Sequence, residues 1–212
     1  MSALRGMQQR VSSRRHPVEG IQQPGNGPTI PSISQTNQEP RDMSEKANPV
    51  ETPLRAVVIT VSDTRTEETD KSGKVLAERL REAGHELVAK HIIRDDVYQL
   101  RAIVSTLIAD AGVQAVLMTG GTGFTARDNT VRAIKPLLDT EIEGFGELFR
   151  QLSFEEIGSS TIQSRAFAGL ANDTIVFCVP GSPGACRTAW DRIIASQLDV
   201  GHKPCNFAEK LL

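Results

Sequence analysis

Three stretches of this chain, Arg55–Val61, Val113–Met118 and Thr174–Val179, are almost continuously apolar and rich in β-branched residues. They lack the polar alternation of a strand with one wet face, so both of their faces must be covered, as in a parallel sheet between helices. The segments between them supply the cover. Ser72–Ala83 places Val75, Leu76, Leu80 and Ala83 on one helical face and ends at Gly84, where a left-handed residue commonly stops a helix. Glu86–Ile93 reads as a further strand, and Val97–Ala109 as a second helix with Leu100, Ile103, Val104, Leu107 and Ile108 as its inward stripe, ended by Gly112. Further helices are expected over Thr130–Leu138, over Glu141–Ile157 as one helix or a broken pair, and from Pro183 to near Leu198. Alternating strands and helices predict an α/β fold of three layers, α/β/α, with a mainly parallel sheet and right-handed crossovers.

This domain is expected to occupy residues 54–212. Residues 1–53, rich in Pro, Gly, Gln, Ser and Asn and without apolar period, read as a disordered tail. With 24 basic and 26 acidic residues the net charge is −2, which leaves no excess of positive charge for a nucleic-acid backbone. No apolar run approaches the roughly 20 residues of a membrane span. The expectation is a soluble, cytoplasmic protein with neither nucleic acid nor membrane as partner. Cys178, Cys186 and Cys205 lack C-x-x-C spacing and read as ordinary thiols. The four scattered histidines (His16, His85, His91, His202) read as surface or strand-edge residues rather than metal ligands.

The chemistry concentrates in Thr119-Gly-Gly-Thr-Gly123, directly after a strand and before a helix. Glycines let backbone N–H groups approach an anion, and threonines add hydroxyls. The loop is neither a Walker A sequence nor G-x-G-x-x-G, and a tight strand-to-helix turn is its plainer reading. Downstream, Asp128 or Thr130 could cap the next helix, while a carboxylate faces whatever the loop holds. Asp95-Asp96 opens the second helix, where capping accounts for one aspartate but hardly for both. In a parallel sheet these segments, with Ser62-Asp-Thr64 and Pro180-Gly-Ser-Pro183, share the carboxyl edge where ligands bind in open α/β sheets.

Met118-Thr-Gly-Gly-Thr-Gly-Phe-Thr-Ala-Arg-Asp-Asn-Thr130 and Val179-Pro-Gly-Ser-Pro183 resemble the MoaB/Mog family of molybdenum cofactor biosynthesis. Gly144–Gly158, Ile162-Gln-Ser-Arg165, Ala185–Trp190 and Lys203-Pro-Cys-Asn-Phe207 resemble its MoaB branch, so that the resemblance covers about Leu54 to Leu212. It implies a homo-oligomer, trimer or hexamer, that binds molybdopterin and adenylylates its terminal phosphate with Mg-ATP, releasing pyrophosphate. The family's two essential aspartates fall on Asp95 and Asp128, which the resemblance makes catalytic and assigns to holding or positioning Mg²⁺. Thr119, Gly120, Gly121, Thr122 and Gly123, with Ser182 and Ser164, are the expected substrate contacts, a structural role for Ser164 being the alternative. The competing function is a pterin-binding or assembly protein without catalysis. Presence of both aspartates favours the transferase.

Overall fold

The structure is a computed structural model and describes residues 50–212. The tail expected over residues 1–53 therefore lies outside the described residues as far as residue 49. Within its last four positions, the Val50 N–H donates to the Ala83 carbonyl at 3.0 Å. The elements run β1 (Arg55–Val61), α1 (Lys71–Glu82), β2 (Glu86–Ile93), α2 (Val97–Ala109), β3 (Ala115–Thr119) and α3 (Thr130–Ile134), the last extended by a 3₁₀ turn to Leu137. They continue with β4 (Thr140–Glu141), α4 (Glu143–Ile157), a 3₁₀ segment (Gly158–Gln163), β5 (Phe167–Ala171), β6 (Thr174–Val179) and α5 (Pro183–Ala189). A π-helical turn (Trp190–Ile194) joins α5 to α6 (Ala195–Gln197), and α7 (Ala208–Leu211) follows.

The six strands are ordered β2-β1-β3-β6-β5-β4. The four expected from the sequence, β1, β2, β3 and β6, pair in parallel. Strands β5 and β4 add an antiparallel edge that the sequence reading did not anticipate. A two-residue turn links β5 to β6, with Asn172 and Asp173 at φ 44° and 62°, the left-handed backbone that a tight hairpin demands at both positions.

Because side chains alternate across a strand, each central strand feeds two cores. Ala56, Val58, Leu117 and Phe177 meet α1, α4 and α5 through Leu76, Leu80, Phe149 and Cys186. From the other face, Val57, Ile59, Val116 and Met118 meet α2 and α3 through Leu100, Val104 and Ile134. This is the expected α/β/α arrangement. The region expected from Glu141 as one helix or a broken pair is a single helix starting at Glu143, with Glu141 in β4 instead. Helix α4 buries Phe145, Phe149 and Leu152 but leaves Leu148, Phe154 and Ile157 exposed, and Ile162 just beyond it is exposed too.

One histidine departs from expectation. His85 is buried beneath Trp190, its Nδ1 accepts the Leu54 N–H at 3.2 Å, and its Nε2 has no partner among the described residues. Position just before β2 did not reveal this, because Trp190, which packs edge-to-face against its ring, is more than a hundred residues away in the chain. Cys178 and Cys186 are free and buried, and burial pushes the Cys186 thiol up to about 11, so neither is an ionised nucleophile at neutral pH.

Candidate functional site at the carboxyl edge of the sheet

After β2, the chain crosses β1 to lay down β3 on its other side. Successive connections thus leave in opposite directions from the carboxyl ends of β1 and β3, opening a crevice there. Into it project Ser62–Thr64 after β1 and the glycine loop after β3. Gly120 has φ 103° and passes so close to β1 that a Cβ would lie 2.3 Å from the Val61 carbonyl oxygen. Gly121 follows at φ 64°. A third strand end closes the crevice: a Cβ on Gly181 of the Pro180–Pro183 turn would stand 3.1 Å from the Gly120 Cα, so the two loops lie back to back.

Hydrogen bonding decides which loop N–H groups are available. The Gly120 N–H already donates to the Val179 carbonyl, and the Gly123 N–H to Asp128. Gly120 and Gly123, both expected as substrate contacts, therefore have no free N–H to offer. Thr130, fully buried, holds the next two carbonyls: its hydroxyl donates to Gly120 O at 2.8 Å and its N–H to Gly121 O at 3.0 Å. In a planar trans peptide the N–H points opposite to the C=O. Fixing these carbonyls therefore turns the Gly121 and Thr122 N–H groups away from Thr130, and neither has a partner among the described residues. Two consecutive outward amides form the concave donor pair that binds anions. Thr119 is not beside them. It is fully buried, with its hydroxyl on the Pro180 carbonyl and Cys186, and so belongs to the wall behind the loop rather than to its binding face.

The acidic residues divide by what holds them. Asp96 caps α2, accepting from the N–H groups of Tyr98 and Gln99, which frees its neighbour. Asp95 accepts the Asn129 N–H at 3.0 Å through Oδ1, while Oδ2 has no partner among the described residues and lies beside Gly121. Burial pushes its carboxyl above the usual range; the Asn129 bonds offset this only partly, and Asp128 and Asp63 add repulsion. Asp128 is the reverse case. It accepts from Gly123 N–H at 3.1 Å, Thr125 N–H at 2.8 Å and the Thr125 hydroxyl at 2.6 Å. Burial raises its pKa, but these donors and Arg165 overcome that and hold it low. Neither Asp128 nor Thr130 caps α3, whose N-cap is Asn129 without a side-chain bond. Both residues face back into the glycine loop, a role that local sequence rules for caps do not distinguish.

Three residues to which sequence reasoning gave no role complete the site. Arg165 reaches the loop from the segment before β5, donating to the carbonyls of Thr122, Gly123 and Asp128 while its guanidinium covers the Phe124 ring at 4.8 Å. Asp63 receives the Arg127 guanidinium, chiefly for which reason its pKa is lowered. A charged residue in each of these positions was visible in the sequence, but its partner was not.

A cavity of about 570 Å³ opens beside the loop, bordered by Gly121, Thr122, Ser164, Ser182, Glu156 and Ile157 among others. Ser182 uses its hydroxyl to cap α5, accepting from Ala185 N–H at 3.1 Å, and Ser164 only weakly engages Ala166 N–H at 3.4 Å. Asp95 is absent from this wall. It borders an adjoining hollow with Asp63 and Arg127, and Gly121 and Asp128 border both spaces. Among the described residues no cluster of three or more His, Cys, Asp or Glu is placed to hold a metal ion. A carboxylate with a free oxygen suits Mg²⁺ that keeps water and substrate phosphates as its other ligands, and Asp95 is that carboxylate.

Residues 57–200 match the family described as "Probable molybdopterin binding domain". The chain is 56% identical over 155 residues to molybdenum cofactor biosynthesis protein B of Escherichia coli K12, spanning 73% of this chain and 91% of that one. Its fold superposes on the crystal structure of a molybdenum cofactor biosynthesis protein B with TM-score 0.70 at 45% identity, covering 76% of this chain and 96% of the other. The tungsten cofactor synthesizing protein MoaB from Pyrococcus furiosus gives 0.60 at 39% identity, covering 66% and 90%. The fold, the order of its motifs and these likenesses agree: this chain belongs to the MoaB/Mog family of molybdenum cofactor biosynthesis proteins.

Proposed function

We propose that the chain binds molybdopterin and transfers AMP from ATP to its terminal phosphate. The observation that carries this reading is the pair of adjoining hollows: one borders two unpartnered amides suited to an anion, the other a free carboxylate oxygen suited to a cation. A phosphate monoester has its second pKa near ~6 and is mostly dianionic at neutral pH, so it attacks without a general base. Its oxygen bonds to the α-phosphorus of ATP as the bond to pyrophosphate breaks. The obstacle is repulsion between two anions. Asp95 and phosphate oxygens would hold Mg²⁺, which would supply the counter-charge, and Asp128, already bound to Gly123 and Thr125, positions the loop. Gly121 and Thr122 donate to the anion, with Ser164 and Ser182 as further contacts.

The alternative, a protein that binds or presents pterin without catalysis, is favoured by one specific observation: the oxygens of Asp128 already serve the loop. Purified protein incubated with molybdopterin and Mg-ATP decides between them. Adenylyl-molybdopterin with matching pyrophosphate supports the transferase; tight pterin binding without either product supports the alternative. The exposed Leu148, Phe154, Ile157 and Ile162 support a homo-oligomer, trimer or hexamer, which sedimentation velocity at micromolar concentration tests.

A further inference from the structure

We infer that Glu156, on the last turn of α4, reads the amino-pyrimidinone edge of the ring in the larger cavity; this rests on the pterin reading above. Glu156 borders the same cavity as the Gly121 and Thr122 amides. The Thr188 hydroxyl, on a buried residue of α5, donates to its Oε1 at 2.7 Å. That hydroxyl has one proton, and its other acceptor, the Gly184 carbonyl, lies further away at 3.1 Å, so the charged and closer oxygen takes it. The second carboxylate oxygen has no partner among the described residues. The contrast with the adjacent residue is informative: Glu155 pairs with Arg192 across the surface at 3.6 Å, whereas Glu156 forms no salt bridge among the described residues.

An ionised carboxylate only accepts hydrogen bonds. Oriented by Thr188 and bordering a cavity, it calls for a ligand edge that only donates. A 2-amino-4-oxopyrimidine ring presents such an edge, its amino group and ring N–H lying side by side, and a carboxylate can take both in a paired, charge-assisted contact. Adenine offers an amino donor beside a ring-nitrogen acceptor and would set a lone pair against the carboxylate. Glu156 thus admits the pterin and disfavours the base of ATP. It also sets polarity: a phosphate is repelled from the glutamate and accepted by the amides, so one orientation of a pterin phosphate satisfies both.

The test is equilibrium binding of pterin-6-carboxylate against lumazine-6-carboxylate, in which an oxo group replaces the 2-amino group. The proteins compared are the full-length wild type, Glu156→Gln and Glu156→Ala, each first checked for an unchanged thermal transition. Sites built to hydrogen-bond a donor reject analogues lacking it, so the wild type should prefer the pterin by about tenfold or more. Glu156→Gln, whose amide can donate to the lumazine oxo group, should bring that ratio below about threefold, and Glu156→Ala should lower it as well. A ratio unchanged in both variants overturns the inference, and if the wild type still binds molybdopterin then the proposed function stands without it. Failure of the wild type to bind molybdopterin at all removes both.

Discussion

Asp95 and Asp128 border the same hollow, yet their surroundings treat them oppositely. Three donors and a nearby guanidinium stabilise the charge of Asp128, while burial and two other carboxylates oppose that of Asp95. An aspartate surrounded by donors is part of the scaffold, because its charge stabilises the fold. Where the surroundings oppose the charge, as at Asp95, ionisation costs stability, and a bound cation would relieve that cost. The two positions look equivalent in the sequence, and the environment separates them into one whose oxygens are taken up by the loop and one that keeps an oxygen free.

The largest expected effect separates them by rate. Asp95→Asn should lower AMP transfer by roughly 10²–10³-fold, leave molybdopterin affinity within about tenfold, and keep or slightly raise the melting temperature. If transfer survives while Mg²⁺ dependence is unaltered, Asp95 is not the cation's ligand and the contrast loses its functional half.

A second variant probes the scaffold directly. Thr130→Val keeps shape but leaves the Gly120 carbonyl without its hydroxyl donor, a buried loss worth about 1–3 kcal/mol. The amide pair should lose its fixed direction, so affinity for inorganic phosphate should drop about tenfold, with Thr130→Ser restoring it. Amide chemical shifts of Gly121 and Thr122 during phosphate titration report this, and wild-type shifts that ignore phosphate would refute the assignment of those two donors.

Asp128→Asn should then be the destabilising member of the aspartate pair. An asparagine has one acceptor oxygen, and its amide would confront the Gly123 or Thr125 N–H. A loss of about 1–2 kcal/mol is expected, or roughly 2–8 °C in Tm for a domain of this size. Calorimetry showing Asp95→Asn to be the less stable of the two would reverse the comparison.

The smallest effect lies in pH dependence, where the signs are opposite. With its folded pKa raised above the unfolded value of about 3.9, Asp95 stabilises the fold while protonated, and that contribution fades as pH rises through the folded value. Asp128, with its folded pKa lowered, contributes above the unfolded value and loses that contribution as pH falls through the folded one. Stability of wild type minus Asp95→Asn should therefore decline as pH rises above about 4, while wild type minus Asp128→Asn should decline only as pH falls below about 4. Parallel curves for the two differences would mean the carboxylates share one environment.

Much of this was legible in the sequence. Continuous apolar runs identify β1, β3 and β6 because burial on both faces leaves no room for polar alternation. The capping argument at Asp95-Asp96 also succeeds, since a helix start needs only one of them. Strand β5 escapes notice because Phe-Ala-Gly-Leu-Ala lacks β-branched residues, although Asn172-Asp173 before an apolar run was an available hairpin signal. Which loop amides are open was not readable at all. That depends on Val179, Asp128, Thr130 and Arg165, partners that become neighbours only once the sheet has formed.

The close approach of Gly120 and Gly181 ties together two turns whose glycines are 61 residues apart in the chain. A side chain at 181 would press on the backbone that aims the amide pair, and 3.1 Å leaves a few tenths of an ångström to be found by movement. The two turns are thus not separate modules to be exchanged one at a time. Grafting the glycine loop onto another sheet without its companion would transplant the letters of the motif but not its shape, and a designer altering either turn inherits the other as a constraint.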